Sequence, residues 1–252
     1  MQLEMVGKTD IGRQRSRNED HYLLMDSFSL SVVADGMGGH IDGDIASQIA
    51  VDTLQKRYEN DYKALPEDTE YLKILEFQEK FLVESIQEAN KNIFEQNQQS
   101  GIPDGMGTTI VSTVVTEKHA VIAWVGDSRI YLFRDEKLKQ VSQDHSLVNE
   151  LMKYNFISEK DLVFIQNKNI ITRALGMNSQ VLVDSQCIET QPNDIFLMCS
   201  DGLSDLVTDS QIEEILIDYG QDISVVAEKL VDYANFKGGQ DNITVTLAKI
   251  KE

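Results

Sequence analysis

The sequence of 252 residues predicts an α/β (α+β) sandwich of mainly antiparallel sheets covered by helices, on three observations. Short apolar runs rich in β-branched residues recur from end to end, as strands do. They fall into two clusters on either side of a helical stretch from Asp42 to Gln98. Neighbouring runs also lie too close together for the crossover that a parallel βαβ unit needs.

In chain order, the first clear strand is Ser31 to Ala34. Within the helical stretch, Leu75, Leu82, Ile86, Ala89 and Ile93 recur at three-, four- and seven-residue steps, which puts them on one helix face. Strands follow at Ile110 to Val115, Val121 to Val125 and Ile130 to Phe133, the last two close enough for a tight antiparallel connection. The stretch Asn149 to Asn169 mixes charges with Tyr154 and Phe156 without clean periodicity and reads as a surface flap. A strand at Ile195 to Cys199, a helix carrying Ile223, Ala227, Leu230 and Ala234, and a strand at Ile243 to Ala248 complete the chain. No linker, low-complexity tract or internal repeat interrupts it, so residues 1–252 are expected to form one domain.

Composition narrows the partners. An apolar content of 41% suffices for one large core. A formal net charge of -19 argues against nucleic acid or an anionic membrane, because a polyanion is repelled unless a local basic patch outweighs the whole-molecule field. Cys187 and Cys199 are too few and too far apart for a disulfide framework or a CxxC pair, and are expected to be buried strand cysteines in a reducing compartment. The opening Met1-Gln2-Leu3-Glu4 has no basic segment leading into an apolar one. No apolar run approaches the roughly 18 residues of a spanning helix either. The expected location is cytoplasmic.

Four aspartates stand out by position. Asp35 follows Leu30 to Ala34, Asp127 follows Val121 to Gly126, Asp201 follows Ile195 to Ser200, and Asp241 precedes Ile243 to Ala248. Strand ends share the rim of a sheet, so carboxylates there can converge from distant parts of the chain, and Gly36 or Gly202 would let backbone approach a ligand. A lone Asp-Gly is ordinarily a turn. The apolar runs leading into Asp35 and Asp201 imply deep burial, which makes the charges costly unless a cation compensates them. With carboxylates, a carbonyl expected from Gly36, and no His or Cys at a ligand spacing, magnesium or manganese is expected rather than zinc. Two such ions sharing Asp35 would acidify a bridging water for in-line attack on phosphorus, without a covalent intermediate. The only concentrated basic cluster, Gly12 to Asp20, supplies arginines whose planar fork matches two phosphoryl oxygens.

In order along the chain stand Arg15 to Asp20 (RSRNED), Asp35 to His40 (DGMGGH), Gly107 to Thr109 (GTT), Gly126 to Arg129 (GDSR), Ser200 to Gly202 (SDG) and Asp241 to Ile243 (DNI). By these six elements the chain resembles the metal-dependent Ser/Thr protein phosphatases of type 2C, particularly the bacterial members that oppose Ser/Thr kinases. The resemblance implies two stacked antiparallel sheets flanked by helices on both faces. It implies that Asp35 bridges two metals, that the Gly36 carbonyl, Asp201 and Asp241 complete that pair, and that Asp127 with Asp201 forms a third site. Arg15 would clamp phosphate. Glu19 and Asp20 match acidic positions that hold metal directly or through water, and Ser128 stands beside Asp127 as a supporting residue. The flap at 149–169 would lie beside the active site and shape substrate choice. Phosphorylated proteins and a cognate Ser/Thr kinase are the implied partners.

Many eukaryotic relatives carry a histidine where this chain has Met37, and a thioether cannot donate a proton. The leaving alkoxide would then take its proton from a metal-bound water, from His40 or from His145. A cysteine-dependent phosphatase is disfavoured, because Cys199 is followed by Ser200, Asp201 and Gly202 rather than by an arginine-bearing phosphate loop. A nucleotide switch is disfavoured too. Gly7-Lys8-Thr9 has Gln2 where a phosphate loop needs glycine, and reads instead as the end of an N-terminal strand. A catalytically inactive phosphoprotein-binding module on the same scaffold is the remaining alternative, and it would need none of the buried carboxylates.

Overall fold

Along the strand Leu30–Gly38 (β3), Leu30, Val32 and Ala34 join one apolar core while Val33 joins another, the period-two division of a strand buried on both faces. Ile110–Val115 (β5) divides in the same way, with Ile110 and Val114 on one side and Val111 and Val115 on the other. In Ile195–Cys199 (β10), Ile195, Leu197 and Cys199 oppose Phe196 and Met198. Strands of this kind need a packed layer on each side. The computed structural model, which describes residues 2–38, 43–63, 66, 69–100, 105–116, 118–154, 156–157 and 170–251, supplies them as helix, sheet, sheet and helix.

One sheet orders β1 (Gln2–Asp10), β11 (Ile243–Lys251), β10, β7 (Arg129–Arg134) and β8 (Lys137–Gln140). The other orders β2 (Asp20–Met25), β3, β5, β6 (His119–Val125) and β9 (Asp184–Glu189), with β4 (Met106–Thr108) paired to β3. Every pairing is antiparallel. Between the sheets lie Val33, Val111, Ile122, Trp124, Ile130 and Met198, extended by Leu132 and Phe196. Ser31 Oγ donates to Thr246 Oγ1 at 3.0 Å across the same layer.

The helices α1 (Gly43–Asn60) and α2 (Tyr71–Ser100) cover the second sheet, with the expected Leu75, Leu82, Ile86, Ala89 and Ile93 stripe all buried. The first sheet is covered by α5 (Asp209–Tyr219) and α6 (Ile223–Phe236), whose Ile223, Ala227, Leu230 and Ala234 are buried as their spacing predicts. The short helix α3 (Leu147–Lys153) begins where Ser146 Oγ accepts the Asn149 N–H. The expected flap at 149–169 therefore opens on helix, and its residues 155 and 158–169 lie outside the described residues.

The helical stretch from Asp42 to Gln98 holds two helices. The strands Asp20–Met25, Lys137–Gln140 and Asp184–Glu189 were not among the apolar runs; all three are edge strands, and polar residues such as His21, Lys139 and Gln186 interrupt them. Cys187, on the edge strand β9, is half-buried rather than buried, while Cys199 on β10 is buried as expected, and both thiols are free. Among the described residues, no helix is long and apolar enough to cross a membrane.

Candidate active site

The strands β2 and β3 pair in a register that sets Asp20 opposite Asp35, two carboxylates side by side at one end of their sheet. At the neighbouring end of the other sheet, β10 passes through Ser200 into Asp201, the first residue of the short helix α4 (Asp201–Ser204). Asp241 lies two residues ahead of β11. Asp127 sits in the turn from β6 to β7, where the chain leaves one sheet for the other. Asp35, Asp127, Asp201 and Asp241 line one cavity of about 260 Å³ together with Arg15, Glu19, Gly36, Met37, Thr109 and Ile171.

Burial makes this an unfavourable place for negative charge. It pushes the Asp35 carboxyl well above the usual carboxylate range, with Asp20, Asp201 and Asp127 adding repulsion. It pushes Asp201 up to about 8, reinforced by Asp127 and Asp205, and Asp20 and Asp127 each to about 6. Glu19 is raised for the same reason, against the pull of Arg15. Among the described residues, Arg15 is the one cationic side chain lining the cavity, and its Nη2 donates to Asp241 Oδ2 at 2.6 Å. The other Asp241 oxygen accepts the Asn242 N–H at 2.8 Å.

Two buried carboxylate oxygens, Asp20 Oδ1 and Asp127 Oδ1, have no hydrogen-bond partner among the described residues. A buried oxygen without a donor is costly, and a cation removes the cost. Among the described residues, the lining contains neither His nor Cys and its carboxylates offer oxygen donors, the set that magnesium and manganese prefer. Among the described residues, no three His, Cys, Asp or Glu side chains close on a single point, and the carboxylates instead ring the cavity. The residues present fit a pair of divalent cations spread across the cavity.

Gly36 is obligatory for a reason the sequence reading missed. Its amide donates to the Glu19 carbonyl at 3.1 Å, and a Cβ there would stand 2.0 Å from the Gly43 carbonyl oxygen. A Cβ on Gly202 would stand 1.9 Å from the Asn242 carbonyl oxygen. At both positions the absence of a Cβ admits another stretch of the chain's own backbone.

The remaining expected residues divide. Asp20 lies behind the cavity wall, buried, and its Oδ2 accepts from Ser200 Oγ at 2.8 Å. Ser128 is fully buried and shares a 2.7 Å hydrogen bond with Thr109 Oγ1, so it supports Thr109 rather than lining the cavity. His40 lies outside the described residues. His145 is buried away from the cavity lining, with Nδ1 accepting the Gly126 N–H at 3.1 Å and Nε2 3.3 Å from Asp184 Oδ2. Burial and nearby Arg173 lower its pKa, so it is a neutral structural histidine rather than a proton source for the cavity.

Four supporting residues carried no role in the sequence reading, although most lie inside the six motifs. Asn242 accepts the Glu19 N–H through Oδ1 and donates through Nδ2 to the carbonyls of Ile11 and Arg17, pinning the loop that carries Arg15. Thr108 Oγ1 donates to the Asp35 carbonyl at 2.8 Å, and Thr109 Oγ1 accepts the Asp35 N–H at 3.2 Å. Asp205, four residues beyond Asp201, adds negative charge near Asp201 and Asp127. Its i,i+4 spacing from Asp201 was the available signal.

A cavity of about 280 Å³ on the far side of the first sheet holds Arg134, Asp194 and Lys249. Their charges are already met: Arg134 Nη2 donates to Asp194 Oδ2 at 2.6 Å, and Lys249 Nζ donates to the carbonyl of Gly220 at 2.8 Å.

The family model described as "Protein phosphatase 2C" matches residues 7–233. A serine/threonine phosphatase, stp, of Listeria monocytogenes is 40% identical over 245 residues, 96% of this chain and 94% of the relative. The crystal structure of the serine/threonine phosphatase Stp1 from Staphylococcus aureus superposes with a TM-score of 0.87 at 33% identity, covering 100% of this chain and 96% of that one. The catalytic domain of serine threonine protein phosphatase PstP, solved in complex with two manganese ions, superposes with a TM-score of 0.82 at 29% identity over 99% of each chain.

Proposed function

The chain belongs to the protein phosphatase 2C family and is a protein serine/threonine phosphatase, and from that premise we propose how its cavity performs the hydrolysis. In this reading Asp35, the Gly36 carbonyl, Asp201 and Asp241 would hold two divalent cations, manganese or magnesium, and Asp127 with Asp201 would hold a third. The observation that carries it is the set of buried, mutually repelling carboxylates with Arg15 lining the same cavity. When bound, such a cation pair supplies an acidified water and neutralises the charge that builds on phosphoryl oxygens.

The chain's own residues do the rest. Arg15 offers two parallel N–H groups to the phosphoryl oxygens once Oδ2 of Asp241 no longer holds it, and its half-exposed side chain is free to make that move. Thr108 and Thr109 fix the Asp35 backbone from both sides. Glu19 faces the cavity, and Asp20 stands behind Asp35 as a support. Water oxygen forms the new bond to phosphorus, the ester bond to the serine or threonine oxygen breaks, and the leaving oxygen takes up a proton. Met37 cannot supply that proton, which leaves a water of the cavity or His40.

We further assign the single domain 1–252 with a substrate-facing flap at 149–169, action in the cytoplasm, and a cognate Ser/Thr kinase whose products are the substrates. The test is manganese-dependent phosphate release from a phosphothreonine peptide, with Asp201→Asn and a chelated sample as controls. Activity lost in both controls supports the reading. A folded, manganese-loaded protein that releases nothing from several phosphopeptides overturns it.

A further inference from the structure

Met37 and Ile171 line the catalytic cavity and also a second groove of about 310 Å³ that continues from it. Its other walls come from the stretch 172–182, where apolar Met177, Val181 and Leu182 stand alongside polar Thr172, Asn178 and Gln180. That stretch is anchored to β4 by a reciprocal bridge, in which the Leu175 N–H donates to the Thr108 carbonyl at 2.8 Å and the Thr108 N–H donates to the Leu175 carbonyl at 3.3 Å. Because β4 pairs with the Gly36–Gly38 end of β3, the groove and the carboxylate cavity are built on the same backbone.

Two methionines, Met37 and Met177, meet over Gly107. Where a Cβ on that residue would stand, Met177 Sδ is 3.2 Å away and Met37 Cγ 3.5 Å away. The rim is open, with Met177 51% and Leu182 66% exposed. Among the described residues, the one charged side chain in the lining is Arg173, which donates to Asp184 Oδ1 at 2.9 Å, so its charge is already met. An exposed apolar wall joined to a catalytic cavity marks a contact surface, and thioethers adapt to varied apolar shapes.

We propose that this groove seats an apolar side chain of the phosphoprotein substrate, one or two positions from the phosphoresidue, and so confers a preference for Leu, Ile, Met or Phe there. The proposal rests on the phosphatase reading above. Its occupant follows from continuity: a chain whose phosphate lies at Asp35 and Asp201 meets Met37 and Ile171, the two walls held in common, as it leaves the cavity. Met37 is two residues from Asp35, and a flanking residue of the substrate has its Cα only about 3.8 Å from that of the phosphoresidue.

The test compares kcat/KM, with manganese present, for two phosphothreonine peptides that differ only in carrying Leu or Ser at the flanking positions. Wild type is expected to favour the Leu peptide by about fivefold or more, the return from partly burying one such side chain. Met177→Ser and Leu182→Ser should bring the ratio towards one. Leu182→Glu should shift preference towards a Lys-flanked peptide, a gain that loss of folding cannot produce. Equal rates for the Leu and Ser peptides in wild type, or an undiminished ratio in both serine variants, would overturn the groove and leave the phosphatase reading standing. Turnover of neither peptide would remove both.

Discussion

Arg15 Nη2 donates to Asp241 Oδ2 across 2.6 Å, so the side chain assigned to phosphate and a side chain assigned to a cation are partners of each other. A cation that takes Oδ2 therefore frees the guanidinium.

Arg15→Ala should lower kcat/KM towards phosphopeptides on the order of 100-fold, the loss of two charge-assisted hydrogen bonds to phosphate. Manganese affinity, read by calorimetric titration, should hold or tighten, because Asp241 is released. Weaker manganese binding with unaltered kcat/KM would reverse the assignment of roles.

The chelated protein should lose stability as pH rises. Asp201 moves from 3.8 to about 8 on folding and Asp20 from 3.8 to about 6, so the folded chain binds more protons than the unfolded chain across that window. The cost of ionisation is absent below the unfolded values and complete above the folded ones. Asp201→Asn, measured by thermal melting in chelator at pH 8, should therefore melt higher than wild type, on the order of 5 °C. With manganese the order should invert. A variant that melts lower in chelator would show that the carboxylate is not strained there.

Asn242→Ala should cost about 2 to 3 kcal/mol in urea unfolding, since it leaves the Glu19 amide and the carbonyls of Ile11 and Arg17 without their partner. It should also reduce kcat/KM roughly tenfold through the loosened Arg15 loop. In an Arg15→Ala background the same change should add little to the kinetic loss, because the two act as a unit. Full additivity would refute that coupling.

With a net charge of -19, the protein should associate more slowly with acidic phosphopeptides than with basic ones at low ionic strength, and salt should narrow the gap. Stopped-flow rates at low and high salt decide it, and equal rates at low salt would remove the effect.

The carboxylates that line the cavity were legible because burial and charge conflict there in plain sight: an apolar strand running into Asp35 or Asp201 has no ordinary packing explanation. The central strands were legible for the same reason, being apolar on both faces. Edge strands such as Lys137–Gln140 were hidden, since their partly exposed positions admit Lys and Gln as readily as a loop does. The helix Asp209–Tyr219 was overlooked although Thr208 and Gln211 form a capping box at its start. The work of Asn242 could not be read at all, because its partners at Ile11, Arg17 and Glu19 lie more than 220 residues away in the chain.

The carboxylate set straddles a seam. Asp35 belongs to one sheet, Asp201 and Asp241 border the other, and Asp127 sits on the turn that crosses between them. Ions held there, as proposed, would act as a rivet through two plates, and the spacing of the plates would set how well the rivet fits. Side chains with no chemistry of their own, such as Val33 and Met198 in the layer between the sheets, would thereby gauge the distance across which phosphate is cut. Trimming that shim would be felt first as a change in metal preference, well before the fold gave way.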